Sequence, residues 1–140
     1  LHDAAEDRGG HETLEAIRDA FGNEVANIVE ACTDPFEDPR PVWKPRKEAY
    51  VASIATKSPS AVLVSACDKL HNSRSVLADL KTDPNVWDRF NAEKHDTLWY
   101  YQALCQAFVT RVEDPAMPHQ FRQLVDELEC VVAELVADSQ

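Results

Sequence analysis

Apolar residues return every three or four positions along almost the whole chain, which is the spacing of one face of an α-helix. Leu14, Ile17, Ala20 and Phe21 form the first such face, and Gly22 follows as the glycine that ends a helix in a left-handed turn. Val25, Ile28, Val29 and Cys32 form a second stripe. Pro35, Pro39, Pro41 and Pro45 then exclude a continuous helix or a central strand. Pro45 is expected as the first residue of the next helix, which carries Tyr50, Val51 and Ile54. Ser58-Pro59 supplies a hydroxyl cap followed by a first-turn proline, and so opens a long helix over 59–80. Its run Ala61-Val62-Leu63-Val64, followed by Ala66, Leu70, Val76, Leu77 and Leu80, reads as a helix buried on several sides. A helix over 93–112 is dense in aromatics, with Trp99, Tyr100, Tyr101 and Phe108 expected in the core. The last helix, 119–137, places Phe121, Leu124, Val125, Leu128, Val132, Leu135 and Val136 on one face. With only 3 glycines for tight turns, a barrel or sandwich is disfavoured, and the expected class is all-α.

A length of 140 residues suits one hydrophobic core rather than two, and 44% apolar residues can fill it. The expected division is a helical domain over 1–112 and an amphipathic helix over 113–140. That last helix packs on the domain or on a partner, and a homodimer through its apolar face is left open. Charge narrows the partners. Lys plus Arg number 14 and Asp plus Glu 25, giving −11, so nucleic acid and anionic membranes are repelled by most of the surface. No apolar run approaches the roughly 18 residues that a bilayer span needs, so no membrane partner is expected. Any phosphate-bearing ligand must therefore enter through a local basic patch or a metal ion. Cys32, Cys67, Cys105 and Cys130 form no C-x-x-C pair and read as reduced residues, so a cytoplasmic setting is expected. The chain begins at Leu1 within what reads as a helix, which suggests that a natural N-terminal part precedes it.

Two clusters carry the chemistry. In Leu1-His2-Asp3-Ala4-Ala5-Glu6-Asp7, helical spacing puts an imidazole and three carboxylates on one turn. A bound cation would turn their mutual repulsion into attraction, whereas the plain alternative is a solvated acidic helix start favoured by the helix dipole. In Ala66-Cys67-Asp68-Lys69-Leu70-His71-Asn72-Ser73-Arg74, Asp68 follows an apolar stretch on a helix expected to be buried. A buried carboxylate needs a partner, either a lysine or arginine or a metal ion. Asn72, one turn on, shares its face.

His2-Asp3 followed far downstream by Asp68 resembles the HD superfamily of metal-dependent phosphohydrolases. Two longer matches resemble the (p)ppGpp hydrolase domains of the RelA/SpoT type: His2-Asp3-x-x-Glu6-Asp7 for HDxxED, and Asp68-Lys69-Leu70-His71-Asn72-x-Arg74 for D-[RK]-L-H-N-x-R. Phe21-Gly22-x-x-Val25-Ala26-x-Ile28-Val29 and Thr33 follow the same family's run, and the likeness covers roughly residues 1 to 80. The remainder is similar to the helical tail of small stand-alone bacterial HD proteins. The resemblance implies an HD-domain helical bundle with His2, Asp3 and Asp68 as metal ligands. Such a donor set suits Mn²⁺, with Fe²⁺ or Zn²⁺ as alternatives. Glu6 and Asp7 would orient the attacking water and take its proton. Lys69, Asn72 and Arg74 would hold phosphate groups, ribose or the leaving diphosphate. His71 lies in the same match but is expected to be a buried, hydrogen-bonded histidine. The family's first histidine lies upstream of HD, before the first residue of this chain. The expectation is that these 140 residues alone bind metal weakly and hydrolyse little.

The stretch Arg40-Pro41-Val42-Trp43-Lys44-Pro45-Arg46-Lys47 holds four basic residues and no acid, an exception in so acidic a chain. It reads either as a solvated loop or as a patch that shields an incoming polyphosphate, with Lys47 placed among the substrate-binding residues. His11, His95 and His119 have no partner pattern. The function expected is a metal-dependent phosphohydrolase of a small nucleotide or polyphosphate, foremost a guanosine alarmone 3′-pyrophosphohydrolase. The rivals are an HD hydrolase of another nucleotide or phosphomonoester, and a catalytically silent helical scaffold.

Overall fold

In a computed structural model the protein is built from helices, and the structure describes residues 1–4, 10–33, 42–89 and 93–140. Six α-helices are described, with no strand among them: α1 His11–Phe21, α2 Asn23–Ala31, α3 Trp43–Ser53, α4 Pro59–Thr82, α5 Lys94–Arg111 and α6 Gln120–Asp138. A short 3₁₀ turn, Val86–Arg89, links α4 to α5. The expected all-α class and HD-type bundle are what is found. Pro35, Pro39, Arg40 and Pro41 lie outside the described residues.

Local chemistry explains most boundaries. Gly22 adopts φ 91, a left-handed conformation costly for any residue with a Cβ, and its N–H reaches Arg18 O. The expected stop is therefore where the sequence places it, and the same glycine starts α2. Leu14 and Ile17 are buried against Ala26 and Val29. Ala20 and Phe21 do not share that burial: Phe21 is 57% exposed, since no described residue covers the last turn of α1. Helix α3 begins at Trp43, two residues before the expected Pro45, which fits because a proline anywhere in the first turn removes an N–H that has no helical partner. Ser58 Oγ accepts from Ala61 N and Pro59 is the first residue of α4, as the pattern indicated.

The 24 residues of α4 make a rod of about 36 Å around which the rest is arranged. Ala61, Val62, Ser65, Ala66, Leu70, Ser73 and Leu77 are buried along it, on more than one side. Helix α6 lies against α4 and α5, burying Phe121, Val125, Leu128, Val132 and Leu135 in the main core. Two exposed ion pairs record how α6 is aligned: Arg74–Glu127 at 3.3 Å and Lys81–Glu134 at 2.7 Å. Both partners advance by the same number of residues, so α4 and α6 run in the same direction. Lys94 Nζ donates to Ser139 O, so the start of α5 meets the end of α6 and these two are antiparallel. The apolar face of α6 thus packs within the chain, against α4 and α5.

One polar clamp holds the α3–α4 connection. Arg111, at the end of α5, donates from Nη1 to the carbonyls of Ile54 and Lys57 at 2.7 and 2.8 Å. Its other guanidinium nitrogens engage Asp114. Arg111→Met leaves two carbonyls without their charged donor and is expected to cost about 2–4 kcal/mol. Urea unfolding should show a lower midpoint at unchanged slope, and Arg111→Lys should recover little because an ammonium cannot reproduce the planar fork.

Candidate metal and phosphate site

The two clusters meet. His2 and Asp3 lie in a turn closed by Ala4 N to Leu1 O, and Asp68 projects from the middle of α4. His2 Nε2 stands 2.9 Å from Asp68 Oδ1 and 3.2 Å from Asp3 Oδ1. One donor atom from each of the three residues falls within 4.8 Å of the others. A nitrogen and two carboxylate oxygens at such separations fit a divalent cation, since small movements bring all three to bonding distance. Asp3 is exposed and His2 half-buried, so water can complete the coordination.

Asp68 is held from behind as well. Its Oδ2 accepts from Lys69 Nζ at 3.1 Å and from Asn72 Nδ2 at 3.4 Å. Burial pushes its carboxyl up, but the Lys69 charge and hydrogen bond, with His2 adding to them, outweigh burial and hold it below the ordinary carboxylate range. Lys69 is only 13% exposed. Its ammonium lies 4.9 Å from the Tyr50 ring centroid and 6.0 Å from that of Tyr100, over faces that attract a cation. Burial alone would lower the lysine, but Tyr100, Tyr50 and Asp68 together raise it, so it stays charged.

The remaining expected residues separate into groups. Lys47 sits over the Tyr100 ring at 5.1 Å, on the aromatic surface that also meets Lys69, while Lys44 covers Trp99 at 4.0 Å. Arg74 is not brought to the cluster: it is exposed and paired with Glu127 of α6. His71 is exposed and not the buried histidine expected, because its side of α4 opens on a cavity. Glu6 and Asp7 lie outside the described residues. Sequence reasoning missed the part played by Tyr50 and Tyr100; they come from α3 and α5, and no local spacing ties them to Lys69.

Beside the cluster is a cavity of about 370 Å³ lined by His2, Leu63, Val64, Cys67, Asp68 and His71, within the size range of small-molecule sites. Leu63 and Val64 give it an apolar wall, and His2, Asp68 and His71 are also among the residues that border it.

No family model matches the sequence. Curated proteins do. The chain is 30% identical over 125 residues to the guanosine-3′,5′-bis(diphosphate) 3′-pyrophosphohydrolase MESH1 of Homo sapiens, a match covering 88% of this chain and 64% of that protein. It is 32% identical over 95 residues to the protein of the same name in Mus musculus, covering 68% of this chain and 49% of the relative. The chain thus spans less than two thirds of the length of either relative. A crystal structure of lmo0812 from Listeria monocytogenes EGD-e superposes with a TM-score of 0.74 at 26% identity, covering 95% of this chain and 79% of that one. With the converging His2, Asp3 and Asp68 these likenesses agree. Together they support an HD-type protein. For an HD protein the three-residue cluster is the place where a divalent metal is implied, and the donor set fits one. No helix among the described residues is long and apolar enough to cross a membrane.

Proposed function

We propose that this HD protein is a metal-dependent phosphohydrolase whose substrate is a guanosine alarmone and whose product is pyrophosphate released from the ribose 3′ position. The observation that carries the reading is the approach of His2 and Asp3 to Asp68 across 66 residues of sequence. The named activity of the human and mouse relatives supplies the substrate class.

His2, Asp3 and Asp68 would hold the cation, with Mn²⁺ preferred for its tolerance of mixed nitrogen and oxygen donors. When bound, such an ion polarises a phosphate oxygen and lowers the pKa of water. The chain's own groups do the rest. Asn72 and Lys47 are assigned to substrate oxygens, a reading supported by Asn72 lying within reach of Asp68 and Lys47 lying over the Tyr100 ring. The apolar wall of Leu63 and Val64 suits a flat base or sugar ring lying beside a charged phosphate end. Glu6 and Asp7, three and four residues after Asp3 in the chain, are assigned to orient the attacking water and accept its proton. Four free cysteines accord with a reducing cytoplasm as the place of action.

The test is product analysis on a panel of guanosine 3′-pyrophosphates, ordinary nucleoside triphosphates and phosphomonoesters, with Mn²⁺. Pyrophosphate and a guanosine 5′-phosphate product are expected from the first class, with loss of turnover in EDTA and recovery on added Mn²⁺. Turnover of only the monoesters would replace the alarmone with another phosphate ester. No metal-dependent release from any member would leave the scaffold reading standing.

A further inference from the structure

The two oxygens of Asp68 have different partners. Oδ1 faces His2 and Asp3, while Oδ2 is taken by Lys69 and Asn72 from the same helix. We propose that Lys69 is a positioning residue: it fixes Oδ2 so that Asp68 offers Oδ1 alone to the cation, and the Tyr50 and Tyr100 rings hold Lys69 in that pose. This rests on the metal reading given above, and it moves Lys69 from the substrate to the support of a ligand.

Three observations carry it. A lysine on a helix surface is normally solvated, yet this one is 13% exposed and adjacent in sequence to the carboxylate it contacts. Its neighbours are aromatic faces contributed by α3 and α5, which compensate a cation for lost water. To reach a phosphate, the ammonium would have to leave both rings and leave Oδ2 with only the 3.4 Å contact to Asn72. The charge of Lys69 opposes the cation, so a lysine at this place strengthens metal binding only through orientation. Groups that orient metal ligands typically contribute 10- to 100-fold in affinity.

The experiment compares the wild type with Lys69→Met, Tyr50→Leu and Tyr50→Phe, measuring Mn²⁺ affinity by calorimetry or by the EPR signal of free Mn²⁺. Substrate kcat and KM are measured alongside at saturating Mn²⁺. Lys69→Met should weaken Mn²⁺ binding about 10- to 100-fold and lower kcat, with KM within about twofold. Tyr50→Leu, which removes the ring but no charge, should move Mn²⁺ affinity the same way, and Tyr50→Phe should restore it; this pair decides the matter if Lys69→Met does not fold. A KM raised tenfold with Mn²⁺ affinity intact, or tightened, makes Lys69 a phosphate ligand and overturns the proposal. Wild-type protein that takes up no Mn²⁺ overturns the metal reading itself. Wild-type uptake that Asp68→Asn abolishes but Lys69→Met leaves intact overturns only the role of Lys69.

Discussion

Asp68→Asn is expected to abolish metal uptake and to reduce metal-dependent pyrophosphate release by about three orders of magnitude, in line with loss of a direct electrostatic contribution to catalysis. The fold should survive it. Asparagine has the shape of aspartate, and its one carbonyl oxygen is claimed by Lys69, whose ammonium has no other side-chain hydrogen-bond acceptor among the described contacts. The amide NH₂ is then turned to the position of Oδ1, toward His2 and the cation, where a donor repels what a carboxylate attracts. The stability cost is expected to be about 1–2 kcal/mol, the scale of one charge-assisted hydrogen bond. That cost carries a pH signature. The native carboxyl is held below its unfolded value near 4, so its contribution is complete above that value and disappears as pH falls through the native pKa. Urea midpoints of wild type and variant should therefore differ at pH 6 and converge below pH 4. A gap that stays constant or widens in acid would show that Asp68 is not held ionised by Lys69 and His2.

The parts of this arrangement that could be read from the sequence are those set by nearest neighbours along the chain. Gly22 ends a helix because of its own φ, and Ser58-Pro59 starts one through its own hydroxyl and ring. The meeting of His2, Asp3 and Asp68 was legible through the resemblance and through the cost of leaving Asp68 unpaired. What could not be read is the rotation of each helix against its partners. On α4, successive residues turn by about 100°, so Asn72 falls about 40° from Asp68 while Arg74 lies about 120° away on the other side. The D-K-L-H-N-x-R run therefore cannot point all its polar groups at one ligand. Arg74 faces Glu127, His71 opens on the cavity, and Lys69 turns to rings on two other helices. Phe21 was misplaced for a related reason: periodicity marks which residues share a face, but only a covering element buries them.

Phe121→Ala is expected to be the most destabilising single change in α6, at about 3–5 kcal/mol. Phe121 and Phe108 are fully buried and meet edge to face, with ring centroids 6.4 Å apart and planes at 80°. They close the corner where α5 turns into α6, so removing either ring leaves a void with backbone on both sides of it. The exposed Arg74–Glu127 and Lys81–Glu134 pairs cannot hold α6 in its place, since such pairs contribute about 0–1 kcal/mol each. A double-mutant cycle of Phe108→Ala with Phe121→Ala should show a coupling of about 0.5–1.5 kcal/mol, the worth of the ring pair beyond its burial. Phe121→Leu, which keeps most of the volume, should lose far less than the alanine variant. The effect should also be confined to stability. The α6 side of α4, marked by Arg74, is about 120° round the helix from Asp68, so folded Phe121→Ala protein should bind Mn²⁺ with wild-type affinity. If Mn²⁺ affinity instead falls with stability at temperatures where the variant remains folded, α6 helps to set the position of Asp68, and the site extends through the full width of the bundle.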